Sequence, residues 1–121
     1  MKTIKVSTDN KIRIIDVDFD DYKDIQRAVG GYFETVSTKR THHLLGPEMI
    51  FLVDEEGLCK GLPKNLLGCF LYGTPFHGCP VVGDLILAKR SGEDITAPDD
   101  VEELVERLLM VFNLEVVEED E

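Results

Sequence analysis

Four groups of side chains in this chain have types and spacings that could carry chemistry. The first is Asp16-Val17-Asp18-Phe19-Asp20-Asp21, whose alternating carboxylates have the form of a calcium loop. A calcium loop of the helix–loop–helix kind needs glycine at its sixth position and an acid at its twelfth. Asp21 and Arg27 stand there instead, so these acids read as the polar end of a strand running into a helix cap. The second group is His42, His43 and His77 with Cys59, Cys69 and Cys79. Structural zinc sites use close ligand pairs such as Cys-x-x-Cys. His77-Gly78-Cys79 is the one close mixed pair, and no metal site is expected. The third is a cysteine nucleophile activated by one of those histidines, which needs a lowered thiol pKa and a base within reach. The sequence carries neither sign, and a buried, inert thiol is the commoner fate of cysteine.

The fourth group is the acid- and amide-rich run Asp54, Glu55, Glu56, Lys60, Lys64 and Asn65. With His77 it forms the candidate ligand-binding set. Turn chemistry alone accounts for Asp54 and Gly57, and Asn65 after Pro63 suits a helix cap. No phosphate-binding glycine loop, dinucleotide fingerprint or serine-centred elbow occurs, so no catalytic residue and no cofactor are assigned.

The elements that must position these residues follow from periodicity. Residues 50–65, IFLVDEEGLCKGLPKN, organise the rest. Met49-Ile50-Phe51-Leu52-Val53 is a short apolar run that suits a strand buried on both faces. Asp54-Glu55-Glu56-Gly57 reads as a hairpin turn with Gly57 at positive φ, Leu58-Cys59 as the return arm, and Gly61-Leu62-Pro63 as its stop. Upstream, Thr3-Ile4-Lys5-Val6-Ser7 and Lys11-Ile12-Arg13-Ile14-Ile15 form an N-terminal hairpin about Asp9-Asn10. Asp20 or Asp21 caps a helix whose buried stripe is Tyr22, Ile25, Ala28 and Val29, ended by Gly30-Gly31. Tyr32-Phe33-Glu34-Thr35-Val36 is a third strand, and residues 37–47 read as a loop.

Further on, Leu66-Leu67-Gly68-Cys69-Phe70-Leu71 is a short helix or a buried crossing, and residues 73–80 are a loop. Residues 81–88, VVGDLILA, form the last clear strand, with Gly83 at a bulge. Thr96-Ala97-Pro98-Asp99 has the form of a capping box. The helix it opens carries Val101, Leu104, Val105, Leu108, Leu109 and Phe112 on its apolar stripe and ends at a left-handed Asn113. The expected architecture is α+β: a small antiparallel or mixed sheet of about five strands packed against two helices. Residues 1–117 form one domain, and residues 118–121 form an acidic tail.

Composition narrows the function classes. Of 121 residues, 43% are apolar, which supports a packed core rather than wholesale disorder. No apolar run reaches bilayer-spanning length, and polar residues follow the basic start where a signal peptide needs an apolar stretch. A cytoplasmic protein with reduced thiols is expected. The formal net charge is −11, which repels phosphate backbones and argues against direct nucleic-acid binding. Two groups of acids lie on ordered elements: Asp16, Asp18, Asp20, Asp21 and Asp24 near the first helix, and Asp99, Asp100, Glu102, Glu103 and Glu106 along the last. Together they form a candidate acidic interaction surface. Its plain role is solubility; its sharper role is to imitate a nucleic acid before a DNA-binding protein.

Three stretches carry a resemblance. Val29-Gly30-Gly31-Tyr32-Phe33-Glu34-Thr35-Val36 is similar to a VGGxIExV segment, and Asp54-Glu55-Glu56-Gly57 through Gly61-Leu62-Pro63-x-Asn65 to an NEEGKLxGLPxN segment. Gly83-Asp84-Leu85-Ile86-Leu87 is similar to a GDxxV strand. Their order and spacing over residues 11–110 resemble an uncharacterised bacterial and phage family, domain of unknown function 3846. The chain departs from it at Asp54, where asparagine is usual, and at Leu66, where arginine often follows. The resemblance implies a small α+β domain carried by phages, plasmids and other mobile elements, and it implies no reaction. The expectation is therefore a non-enzymatic accessory domain that binds another protein, with an anti-defence role as its sharpest form. The alternative is a small-molecule or enzymatic pocket between the 50–65 hairpin and His77.

Overall fold

The computed structural model describes residues 1–117, apart from the side chains of Phe76 and His77; the expected acidic tail at 118–121 lies outside the described residues. The alternation of the first sixteen residues folds into β1 (Lys2–Val6) and β2 (Lys11–Asp16), antiparallel, with Ile4 opposite Ile14. Asn10, at φ 64°, takes the left-handed turn position that asparagine tolerates. Asp21 caps α1 (Tyr22–Val29) by accepting from the Lys23 amide, and Gly30 ends it at φ 105°. Ile25, Ala28 and Val29 are its buried face, whereas Tyr22 is 69% exposed, so the expected stripe is one residue shorter.

After β3 (Phe33–Val36), the stretch read as a loop forms α2 (Lys39–Leu45), because Thr38 caps it by accepting from the Thr41 amide. β4 (Met49–Asp54) is buried along its whole length, as the apolar run required. No hairpin follows. Asp54 accepts from the Glu56 amide in a tight turn, and the chain enters the short α3 (Gly57–Lys60). Gly57 does not have positive φ; the left-handed residue is Gly61, which ends α3 at φ 71°.

Leu66–Tyr72 is a helix (α4) capped by Asn65, followed by the short α5 (Thr74–His77). The last long strand begins later than the periodicity indicated: β5 spans Leu85–Ser91, and Val81 and Val82 precede it. Gly83 there adopts φ 80°. β6 (Asp94–Thr96) returns against β5, so Thr96 belongs to a strand, and Asp100 rather than Thr96 caps α6 (Val101–Val111). α6 ends at Phe112 in an extended conformation (φ −150°), not at a left-handed Asn113. β7 (Glu115–Val116) then pairs parallel with β2.

The result is α+β, with a mixed seven-stranded sheet in the order β3-β4-β5-β1-β2-β7 and β6 beside β5. The strands beyond the expected five or so include β6 and β7, three and two residues long and too short to show alternation. One sheet face presents Ile4, Val6, Phe51, Val53, Leu85 and Leu87 to Leu45 of α2, Leu67 and Leu71 of α4, and Leu104 and Leu108 of α6. The other presents Ile50, Leu52, Ile86 and Ala88 to α1 and to Val17 and Phe19 before it. Cover on both faces explains the unbroken apolar run of β4. Leu109, expected in the core, is 41% exposed.

Leu52 and Leu108 are both fully buried, one on each side of the sheet. Leu→Ala at either position is expected to cost about 2–5 kcal/mol, the lost transfer energy plus a cavity. Chemical denaturation measures this; an unchanged unfolding midpoint in either variant contradicts the packing described.

Candidate functional site

The three stretches that carry the family resemblance meet at one end of the sheet. Asn65 is wholly buried at the start of α4. Its Oδ1 accepts from the Gly68 amide (2.9 Å), and its Nδ2 donates to the carbonyls of Val6 (3.0 Å) and Gly83 (2.9 Å). The Asn65 amide donates to the Val81 carbonyl and the Gly83 amide to the Pro63 carbonyl, so the strand entry is fastened twice. Packing here leaves no room for side chains: a Cβ on Gly57 would lie 2.7 Å from Val82 Cγ2, and one on Gly83 2.9 Å from Leu62 Cδ1. Close approach, not positive φ, is what Gly57 supplies.

Beside this lies the ion pair of Asp54 and Lys60, 2.6 Å apart, with the carboxylate side chain only 3% exposed. Gly31 closes over it, since a Cβ there would sit 2.7 Å from Lys60 Nζ. Burial pushes the Asp54 carboxyl up, but the Lys60 ammonium and the Glu56 amide outweigh it and hold the pKa below its ordinary value. The same hydrogen bond raises the Lys60 ammonium.

A cleft of about 130 Å³ opens next to this pair. Val36, Val53, Leu58 and Val82 give it apolar walls, Glu34 and Glu55 are its acids not held in an ion pair, and Asp54, Tyr72 and Cys79 also line it. Of the candidate ligand-binding set, Asp54 and Glu55 line this cleft and Glu56 stands exposed next in the chain. Lys60 is engaged by Asp54, Lys64 is exposed where its backbone bridges Val82, and Asn65 spends its amide inside the protein. The His77 side chain lies outside the described residues. Glu34 and Tyr72 belong to none of the candidate groups, and Cys79 belongs to the cysteine–histidine group rather than to the ligand-binding set. The alternation of β3, which sets Glu34 and Val36 on one face, is the signal that points to Glu34, and nothing local points to Tyr72.

Cys59 and Cys79 are exposed rather than buried, and Cys69 is half-buried, its sulfur accepting from the Val81 amide at 3.3 Å. Among the described residues no three His, Cys, Asp or Glu side chains gather as a metal-holding group.

The two acidic groups are built into local structure. Asp16 pairs with the terminal ammonium (2.7 Å) and Lys2 (3.2 Å), and Asp24 with Arg27 (2.7 Å) while accepting from the Asp18 amide. Asp18 accepts from the Asp20 amide, and Asp21 caps α1. In the second group Asp99 pairs with Lys89 (2.8 Å), Asp100 caps α6, and Glu103 reaches Arg107 (3.5 Å). Asp20, Glu102 and Glu106 are exposed and, among the described residues, have no ion-pair partner. Asp20 also lines a wider depression of about 440 Å³ with Tyr22, Glu93 and Asp94.

The class is thus a mixed sheet covered by helices on both faces, with a small acid-edged cleft at one end. Residues 1–109 match the family described as Domain of unknown function (DUF3846), and the chain belongs to that family. No curated protein and no solved structure matches it. Among the described residues no helix is long and apolar enough to cross a membrane.

Asp54→Asn tests the state of the buried pair. The folded carboxyl pKa lies below its unfolded value, so its stabilisation is present above about pH 3.9 and is lost as pH falls through the folded pKa. The difference in melting temperature between wild type and Asp54→Asn is therefore expected to be largest near neutral pH and to shrink below about pH 4. A difference that stays constant down to about pH 3 contradicts an ionised, paired Asp54.

Proposed function

We propose that this chain is a non-catalytic accessory domain of phage or mobile-element origin that works in the bacterial cytoplasm by binding a basic region of another protein. The observation that carries the reading is the contrast between two kinds of acid. Asp16, Asp24, Asp54, Asp99 and Glu103 are matched by the protein's own bases, whereas Glu34 and Glu55 stand at the cleft with no ion-pair partner among the described residues. Glu102 and Glu106 on α6 and Asp20 before α1 are likewise left to solvent. Unmatched acids on ordered elements are what a basic partner meets, and they favour steering and specificity over bulk affinity. An anti-defence protein that imitates nucleic acid would use these same acids, with Asp20 before α1 and Glu102 and Glu106 on α6.

The competing reading, a small-molecule or enzymatic pocket, has Cys79 beside Glu34 and Glu55 in its favour. Against it, about 130 Å³ is well below the roughly 300–1,000 Å³ of ordinary ligand pockets. The carboxylate nearest the core, Asp54, is moreover committed to Lys60.

With a partner recovered from a host extract at low salt, Glu34→Gln/Glu55→Gln is expected to weaken the purified complex about tenfold, roughly 1.4 kcal/mol. Affinity should fall further as salt rises, and Cys79→Ala should leave it unchanged. Recovery of no basic partner, or binding that ignores both the charge changes and salt, overturns the reading.

A further inference from the structure

β3 is the end of the sheet, and its outer edge is open. The carbonyl of Tyr32 accepts from the Glu55 amide, and the register sets Glu34 opposite Val53 and Val36 opposite Phe51. Antiparallel pairing alternates, so Glu34 and Val36 direct their backbone groups to β4, and Phe33 and Thr35 direct theirs outward. Among the described strands none pairs with that side. An outward row of amides and carbonyls is a template for another strand.

We propose that this edge accepts an extended, lysine- or arginine-bearing segment of another protein as an added strand, with one basic side chain entering the cleft under Glu34 and Val36. This rests on the acidic protein-binding reading and names its site. Side chains of an added strand alternate between faces, so every second one falls on the face where Glu34, Val36 and Val53 line the cleft. Val36, Val53, Leu58 and Val82 can cover the aliphatic stem of a lysine or arginine, and Glu34 and Glu55 can meet its charged head. A cleft of about 130 Å³ suits one such side chain. On the opposite face Phe33, braced edge-on by Tyr22 at 5.9 Å, offers an apolar neighbour for the alternate side chains. A second copy of this chain is the wrong occupant: it would bring another −11 charge and its own Glu34 to the same edge.

The probe is the acetylated, amidated peptide Val-Lys-Val-Lys-Val, followed by amide exchange and chemical-shift mapping on the isotope-labelled chain. Binding is expected to slow exchange of the Phe33 and Thr35 amides at least about tenfold at saturation, because those two point at the new strand. The glutamate counterpart should not bind, and Glu34→Gln/Glu55→Gln should weaken the lysine peptide about tenfold. Methylating the peptide amides along one edge should abolish binding, and methylating the other edge should not. Thr35→Pro removes the outward donor together with the exposed hydroxyl that accepts from Arg90 at 3.3 Å, and it leaves the ladder to β4 intact. It should stay folded and lose the peptide, whereas Thr35→Ser, which keeps both groups, should still bind it; if the proline variant unfolds, the methylated pair still decides. Binding at the acids of α1 or α6 with no protection at Phe33 and Thr35 overturns the edge site and leaves the acidic-surface reading standing. No binding anywhere overturns both, and equal binding by the two methylated peptides overturns strand addition.

Discussion

Asn65 is the constraint on which this end of the molecule depends. Its side chain is sealed from water, and both its donor and its acceptor are used, to the end of β1, to the turn before β5 and to the first turn of α4. A buried carbonyl left without a donor costs about 1–3 kcal/mol, so the amide holds two backbone groups that have no cheap alternative. Fixing the Gly83 carbonyl also fixes the left-handed turn there, and with it the place of Val82 against Gly57. That contact sets how closely α3 approaches β5, and so how wide the cleft is.

The second constraint is charge. A chain at −11 must keep its acids from destabilising the fold by mutual repulsion. Many are placed where a carboxylate does structural work: Asp21 and Asp100 at helix starts, Asp54 as the acceptor of a tight turn, Asp16 and Asp24 beside cations. Exposed pairs of this kind contribute little each. What they leave is a smaller set of unmatched acids, and Glu34 and Glu55 among them share a cleft at an open sheet edge.

Where order was local, it could be read from the residues. β4 announced itself by an apolar run, α1 by Asp21 and Gly30, and the first turn by Asn10. α6 showed its buried positions Leu104 and Leu108 but not its true cap, since Asp100 lies one residue past the apparent box. Where order came from distant contacts, reading failed. The 50–65 stretch looked like a hairpin because nothing local shows that Lys60 reaches back to Asp54 or that Asn65 is claimed by Val6. α2 hid in seven residues of which only Leu44 and Leu45 are apolar, too few to show a helical stripe, with the Thr38 cap as the remaining cue. The cleft was half legible: Asp54 and Glu55 stood out as clustered acids, while Tyr72 and Cys79 arrive through packing of residues far along the chain.

Asn65→Asp isolates the central constraint, because it keeps the acceptor that caps α4 and replaces the donor to Val6 and Gly83 with an oxygen. Urea unfolding near neutral pH is expected to show a loss of at least about 2 kcal/mol, the cost of setting a carboxylate against two buried carbonyls. A variant within about 0.5 kcal/mol of wild type would mean that the Asn65 amide does not hold this end of the sheet together.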